Sequence, residues 1–177
     1  KDIKFSVVRY GNVMGRRGSE IPFFLKQKEK GDYLTITDKR MTRFNITLFE
    51  GVNFVLDSLK RMWGGELFVP KIPSYNILDL AKAIAPNFKH KIVGIRPGEK
   101  LHEEMITATD SLNTIEFNDY YVILPSKSSW DLDKFLSESN DKKGKRCSDG
   151  FAYSSCSKSI FIKTEEIQIL MKENGLI

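Results

Sequence analysis

Across residues 4–95, short β-branched and aromatic runs alternate with segments of helical periodicity, and a chain patterned this way has few folds open to it. The run KFSVVRY at residues 4–10 has the composition of a strand. A glycine-rich loop, GNVMGRRG at 11–18, follows it. Ser19 can then cap a helix, Pro22 suits its first turn, residues 23–30 form its body and Gly31 ends it. The run YLTIT at 33–37 predicts a second strand, followed by a polar loop at 38–43. Thr47 and Glu50 have the spacing of a capping box, and Leu48, Val52, Val55, Leu56 and Leu59 then recur at helical intervals up to Gly64-Gly65. ELFVP at 66–70 predicts a strand. Residues 76–85 predict a helix with Ile77, Leu80, Ala81 and Ile84 on one face, and KIVGI at 91–95 predicts a further strand. Strand and helix in alternation mean α/β.

Beyond residue 95 the pattern weakens. RPGEK at 96–100 is a loop, and 101–106 predicts a helical turn or two. Residues 114–117 and 120–124 predict a hairpin joined by Asn118-Asp119. From 126 to 156 Ser, Lys, Asp and Gly dominate. This stretch reads as loop around one short helix at 130–136, and its basic cluster (Lys142, Lys143, Lys145, Arg146) reads as solvated surface. Thr164 is expected to cap a final helix with Ile167, Leu170 and Met171 on one face. The expected division is residues 1–125, Rossmann-type strands with a ligand-binding subdomain, and 126–177, a polar extension ending in a helix. Because Lys1 leads straight into a strand, the chain is expected to belong to a longer polypeptide.

Composition removes several functional classes. The chain has 177 residues, 41% apolar and 29% charged, which suits a packed core rather than a disordered segment. Its longest apolar stretch, residues 120–125, is far too short to span a bilayer, so no membrane role is expected. Two cysteines, Cys147 and Cys156, make no disulfide framework and point to a cytoplasmic setting. They are also too far apart for a zinc knuckle, and His90 and His102 lie on different elements, so no metal site is expected. A formal net charge of +5 suits an anionic ligand, and no nucleic-acid motif accompanies it.

Three polar groupings carry possible chemistry. Gly11, Gly15 and Gly18 lie between a strand and a helix, with Asp38 about twenty residues further on. The spacing is G-x-x-x-G-x-x-G, not the dinucleotide fingerprint, so the loop is either a cofactor turn or a bend before a capped helix; both would favour an anion at the helix start. Arg43 sits just before the Thr47-capped helix, where its planar fork can meet a phosphate or solvent. Arg96 and Glu99 flank a Pro-Gly turn and can face one space, the first toward a phosphate and the second toward sugar hydroxyls, or else form a weak surface pair. Asn12, directly after a strand, lies where open α/β sheets bind ligands.

Taken together, VVRYGNVMGRRGS-x-x-PFF, TITDKRMTRFNIT, GGELFVPKIPS, DLAKAIAP and IVGIRPGEKLHEEMI resemble the C-terminal half of the extended short-chain dehydrogenase/reductases of polysaccharide biosynthesis. Within that family the pattern is most similar to the inverting UDP-N-acetylglucosamine 4,6-dehydratases, a branch associated with pseudaminic acid and flagellin glycosylation. The resemblance runs in order from Phe5 to Pro125 and again at Tyr153-Ser154-Ser155.

The resemblance implies a division of labour. An N-terminal Rossmann half would carry the glycine fingerprint, bind NADP and supply a catalytic Tyr-x-x-x-Lys, while the C-terminal half binds the UDP-sugar. Asn12 and Arg43 match diphosphate-binding positions. Thr35 and Thr37 match the segment lining the uracil, Arg96 and Glu99 a phosphate and ribose pair, and Pro22 and Phe23 the helix start beside the substrate. Tyr10, Gly11 and Asn12 match the nicotinamide side of the cofactor. The loop at 11–18 thereby becomes a substrate-side loop. None of the six tyrosines has lysine four residues on: Met14, Thr37, Asp79, Leu124, Pro125 and Ser157 stand there.

The expectation is a UDP-sugar-binding half of an NADP-dependent lyase, inactive alone, poorly soluble or marginally stable because its partner half is missing, and homo-oligomeric as the full enzyme. A non-catalytic nucleotide-sugar-binding module, or the half of another UDP-sugar epimerase or dehydratase, is the alternative.

Overall fold

The computed structural model describes residues 3–138, 144–157 and 160–177. In chain order the elements are β1 (Val7–Val8), β2 (Asn12–Val13), α1 (Glu20–Lys28), β3 (Tyr33–Ile36), β4 (Thr42–Ile46), α2 (Leu48–Arg61), β5 (Leu67–Pro70), β6 (Ser74–Asn76), α3 (Ile77–Ile84) and β7 (Lys89–Ile92). They continue with β8 (Glu104–Ile106), a single 3-10 turn (Asp110–Asn113), β9 (Thr114–Glu116), β10 (Tyr120–Ile123), α4 (Leu132–Glu138), β11 (Lys145–Arg146), β12 (Tyr153–Ser154) and α5 (Thr164–Glu173). The α/β class stands.

The chain forms two compact units whose segments interleave in sequence. One comprises Lys1–Tyr10, Phe49–Lys71 and Glu104–Tyr153; the other comprises Gly11–Leu48, Ile72–Glu103 and Ser154–Ile177.

The first unit is built on a mixed five-stranded sheet in the order β1-β5-β10-β9-β11, with β1 parallel to β5 and the other pairs antiparallel. The predicted hairpin is present, with Tyr121 opposite Glu116. Phe68, Ile115, Phe117, Tyr120, Val122 and Phe135 bury one apolar cluster, and Phe117 stacks on Tyr120 at 4.8 Å between ring centroids. Glu66 is fully buried. Its carboxylate accepts from the Ser6 hydroxyl and the Trp63 and Gly64 backbone N–H groups, so both buried oxygens are hydrogen-bonded.

The second unit combines β2-β4-β6 with the parallel pair β3-β7. Ile21, Phe24, Leu34, Ile36, Leu80, Ile84, Ile167 and Met171 share its core, bringing α1, α3 and α5 together. Asn76 caps α3 by accepting from the Leu78 N–H at 2.8 Å.

Several local expectations shift. The strand expected over 4–10 is ladder-paired only at Val7–Val8. The "loop" carrying Arg43 is the buried strand β4, because the bonds it makes on both edges, to β2 and β6, outweigh its polar composition. The helical turn expected at 101–106 is instead strand at Glu104–Ile106. Ser19 stands at the N-cap of α1, but its hydroxyl donates back to the Arg16 carbonyl rather than accepting from the helix. Thr164 is the first residue of α5; Lys163 occupies the cap, its N–H donating to the Glu166 carboxylate. Lys142 and Lys143 lie outside the described residues, whereas Lys145 and Arg146 form the exposed strand β11.

Candidate functional site

All eight residues matched to substrate binding line one cleft of about 600 Å³ in the second unit: Asn12, Pro22, Phe23, Thr35, Thr37, Arg43, Arg96 and Glu99. They come from five separate stretches, at 12, 22–23, 35–37, 43 and 96–99.

Asn12 opens β2, which runs parallel to β4 with Asn12 opposite Asn45. A Cβ on Gly11 would overlap the Cβ of Phe44, so the close approach of this segment to β4 requires glycine. Gly11 and Tyr10 do not line the cleft.

Arg43, on β4, is 8% exposed. Its Nε donates to the Glu20 carboxylate at 2.9 Å, and its Nη1 donates to the carbonyls of Thr42 (2.8 Å) and Lys100 (3.2 Å). The guanidinium thus ties the first turn of α1 and the loop before β8 to one strand. Held in this way, it presents a preorganised cation to the cleft.

The RPGE turn is closed by the Glu99 N–H donating to the Arg96 carbonyl, with Pro97 and Gly98 at its centre and Gly98 at φ +84°. Only glycine adopts that φ without strain, and Pro-Gly is the residue pair such a turn demands. The Glu99 carboxylate accepts the Arg96 backbone N–H at 3.0 Å instead of pairing with its side chain. That leaves the Arg96 guanidinium outside the expected Arg–Glu surface pair.

Gln27 clamps Thr35 twice: its Nε2 donates to the Thr35 hydroxyl at 2.6 Å, and its Oε1 accepts the Thr35 N–H at 3.0 Å. With its oxygen accepting from Gln27, the Thr35 hydroxyl keeps its own proton to donate elsewhere.

Residues to which the sequence assigned no role complete the wall. Arg16 and Lys26 add cations, Glu20 and Glu103 add carboxylates, and Met41, Ile77 and Val93 add apolar surface. Four cationic side chains therefore face three carboxylates. Glu103 accepts from the Asn12 Nδ2 and the Phe44 backbone N–H, both at 2.9 Å. Burial pushes its carboxyl above the ordinary value, and Glu20 adds to that; the Phe44 N–H, Arg43 and Asn12 oppose it. It lies within the quoted IRPGEKLHEEMI run, but neither spacing nor composition separates it from Glu104 beside it.

Asp38, the acid a dinucleotide fingerprint would require, is taken. Both its oxygens accept from Arg40, at 3.0 and 2.8 Å, and these bonds hold its pKa down to about 2. Among the described residues no three His, Cys, Asp or Glu side chains converge on a metal-sized point, and no helix is long and apolar enough to cross a membrane.

A cleft of this kind beside a parallel strand pair, in a mixed α/β chain with these motifs, fits a Rossmann-type fold. The family described as "Polysaccharide biosynthesis protein" matches residues 1–125, and the chain belongs to it, within the extended short-chain dehydrogenase/reductases.

Among its relatives are UDP-N-acetylglucosamine 4,6-dehydratases (inverting) from two Campylobacter jejuni strains. One, of serotype O:2, is 52% identical over 94% of this chain and 51% of its own length. The other, of serotype O:23/36, is 55% identical over 88% of this chain and 47% of its own length. A UDP-glucose 4-epimerase from Rickettsia canadensis is 40% identical over 77% of this chain and 41% of its own length. The crystal structure of Pen from Bacillus thuringiensis superimposes with a TM-score of 0.80 at 31% identity, covering 98% of this chain and 51% of that one. The chain spans about half the length of the curated relatives it matches.

Proposed function

We propose that this chain is the UDP-sugar-binding half of an NADP-dependent UDP-N-acetylglucosamine 4,6-dehydratase that inverts C5. One observation carries the reading: side chains from five stretches, suited to the different parts of a uridine diphosphate sugar, line one cleft.

In this reading Arg43, Arg96 and Asn12 hold the diphosphate. Arg43 contributes as a cation fixed by its bonds to Glu20 and the backbone, and Arg96 as a second cation from the RPGE turn. Thr35 and Thr37 meet the uracil, with the Thr35 hydroxyl donating to a ring carbonyl. Glu99 accepts from ribose hydroxyls through the oxygen its own turn does not use. Pro22 and Phe23 cover the sugar side.

In such an enzyme a bound nicotinamide cofactor would supply a reversible hydride store for the C4 and C6 positions of the sugar. The residues described here bind and orient the nucleotide sugar. The base at C4 is the work of a Tyr-x-x-x-Lys that this sequence does not contain, and cofactor binding falls mainly to polypeptide other than this chain, with Tyr10, Gly11 and Asn12 at its edge. The chain alone therefore binds and does not turn over, and the full enzyme assembles as a homo-oligomer around both halves.

Calorimetry with UDP-N-acetylglucosamine, with and without NADP, and an assay for a 4-keto product test this. Saturable binding of the sugar nucleotide with no product is the expected result. No binding, or robust turnover by the isolated chain, would refute it. The absence of lysine four residues after every tyrosine also favours a second reading, a purely binding module that pairs with no catalytic half. Sequence adjoining the coding region decides between them: a TGxxGxxG with a Tyr-x-x-x-Lys marks the enzyme.

A further inference from the structure

Glu103 stands at the centre of a hydrogen-bonded chain that ends on a cleft residue. One carboxylate oxygen accepts from the Asn12 Nδ2 and the other from the Phe44 N–H, each at 2.9 Å. Its backbone is clamped from the opposite side: the Glu103 N–H donates to the Ser155 hydroxyl at 2.9 Å, and its carbonyl accepts from the Ser154 hydroxyl at 2.9 Å and the Ser155 N–H at 2.8 Å. Ser155 is fully buried, and its hydroxyl also meets the Thr42 hydroxyl at 2.7 Å, which in turn meets His102 Nδ1 at 2.7 Å. Three separated stretches, at 42–44, 102–103 and 154–155, thus fix one carboxylate against one amide.

We propose that Glu103 is a positioning residue that sets the orientation of the Asn12 amide in the cleft. A carboxylate only accepts, so it selects the NH2 end of an otherwise ambiguous amide. One hydrogen of Asn12 Nδ2 is committed to Glu103. Among the described residues none takes the second, which remains to donate to a ligand oxygen. The Phe44 N–H is a fixed backbone donor and claims the other carboxylate oxygen, so Glu103 cannot rotate away. This inference deepens the nucleotide-sugar reading and rests on it for the ligand, but not for the geometry.

Glu103→Gln is the informative variant. Its single oxygen must face the Phe44 N–H, so its own NH2 faces Asn12. Two NH2 groups cannot pair, and the Asn12 amide must turn over. In a 15N-labelled chain, E103Q is expected to move the Asn12 side-chain NH2 signals and the Phe44 amide, leaving the Val122 and Leu80 amides in place. UDP titration should then show roughly tenfold weaker binding for both E103Q and Asn12→Ala, with the double variant no weaker than Asn12→Ala alone.

Unmoved Asn12 signals in E103Q, or losses that multiply in the double variant, would overturn the proposal. Should E103Q fail to fold, Ser155→Ala takes its place. It reaches Asn12 through the Glu103 backbone, and must move the same two sets of signals or the proposal fails. If the native chain binds no UDP, the reading of the cleft falls while the Asn12 signals still decide the role of Glu103.

Discussion

Arg43 shows how much one side chain can organise. It lies almost fully buried with Glu20 as its counter-ion and backbone carbonyls on its Nη1. Removing one member of such a pair strands the other, so Arg43→Ala should cost roughly 3 kcal/mol of stability, read from the shift of a urea midpoint, and abolish UDP binding. Arg43→Lys keeps the charge but loses the fork and should recover only part of either.

Glu103 has a raised pKa, so between the ordinary carboxylate value and its folded value the native state holds a proton the unfolded chain has released. Its contribution to stability is complete below that window and is lost as pH rises through it. E103Q, which cannot ionise, should remove that step from a plot of melting temperature against pH.

Burial, with Glu116 adding to it, pushes the Cys147 thiol up to about 11, so roughly one molecule in a thousand carries the thiolate at pH 8. Iodoacetamide at pH 8 should therefore label the exposed Cys156 first, with labelling of Cys147 rising steeply above pH 10.

Helix α2 inverts the usual expectation for an amphipathic element. The stripe legible in the sequence is present and helical, yet Val52, Val55, Leu56 and Leu59 are 42–63% exposed, while Gly51 and Ser58 are buried. The small-residue side makes the close packing and the large apolar side faces outward. Leu59→Glu should therefore change the stability of this chain by less than about 0.5 kcal/mol, whereas Ser58→Leu should cost about 1–3 kcal/mol by overpacking. Denaturant titration of both variants checks this, and equal losses would contradict the packing. At α3, where the Asn76 side chain caps the helix, Asn76→Ala should cost about 1 kcal/mol.

At the scale of the molecule, the first unit exposes Ile3, Phe5, Val7, Phe49 and the α2 stripe together with the open edge of β1. A surface of this kind suits a chain that spans half the length of its relatives, and in the proposed reading the other half covers it. Unpaired edges and contiguous apolar patches promote association. The isolated chain should bind a hydrophobic dye and sediment with concentration-dependent mass, and Leu56→Glu with Leu59→Glu should reduce both.

The sequence by itself determined the α/β class, helices α1 to α5 and the hairpin, because period and turn chemistry act within a few residues and need no distant partner, but it misread β8 as a helical turn. It also placed the motifs that mark the family, which are local strings. Tertiary structure decided the rest. That β4 is a buried strand depends on the neighbours flanking it, and the exposure of the α2 stripe depends on what is present to cover it. That Asn12, Thr35, Arg43 and Arg96 meet in one cleft, with Glu103 and Glu20 among them, follows from strand order and long-range hydrogen bonds. These join residues 23 to 113 positions apart, a separation over which no pattern along the chain carries information.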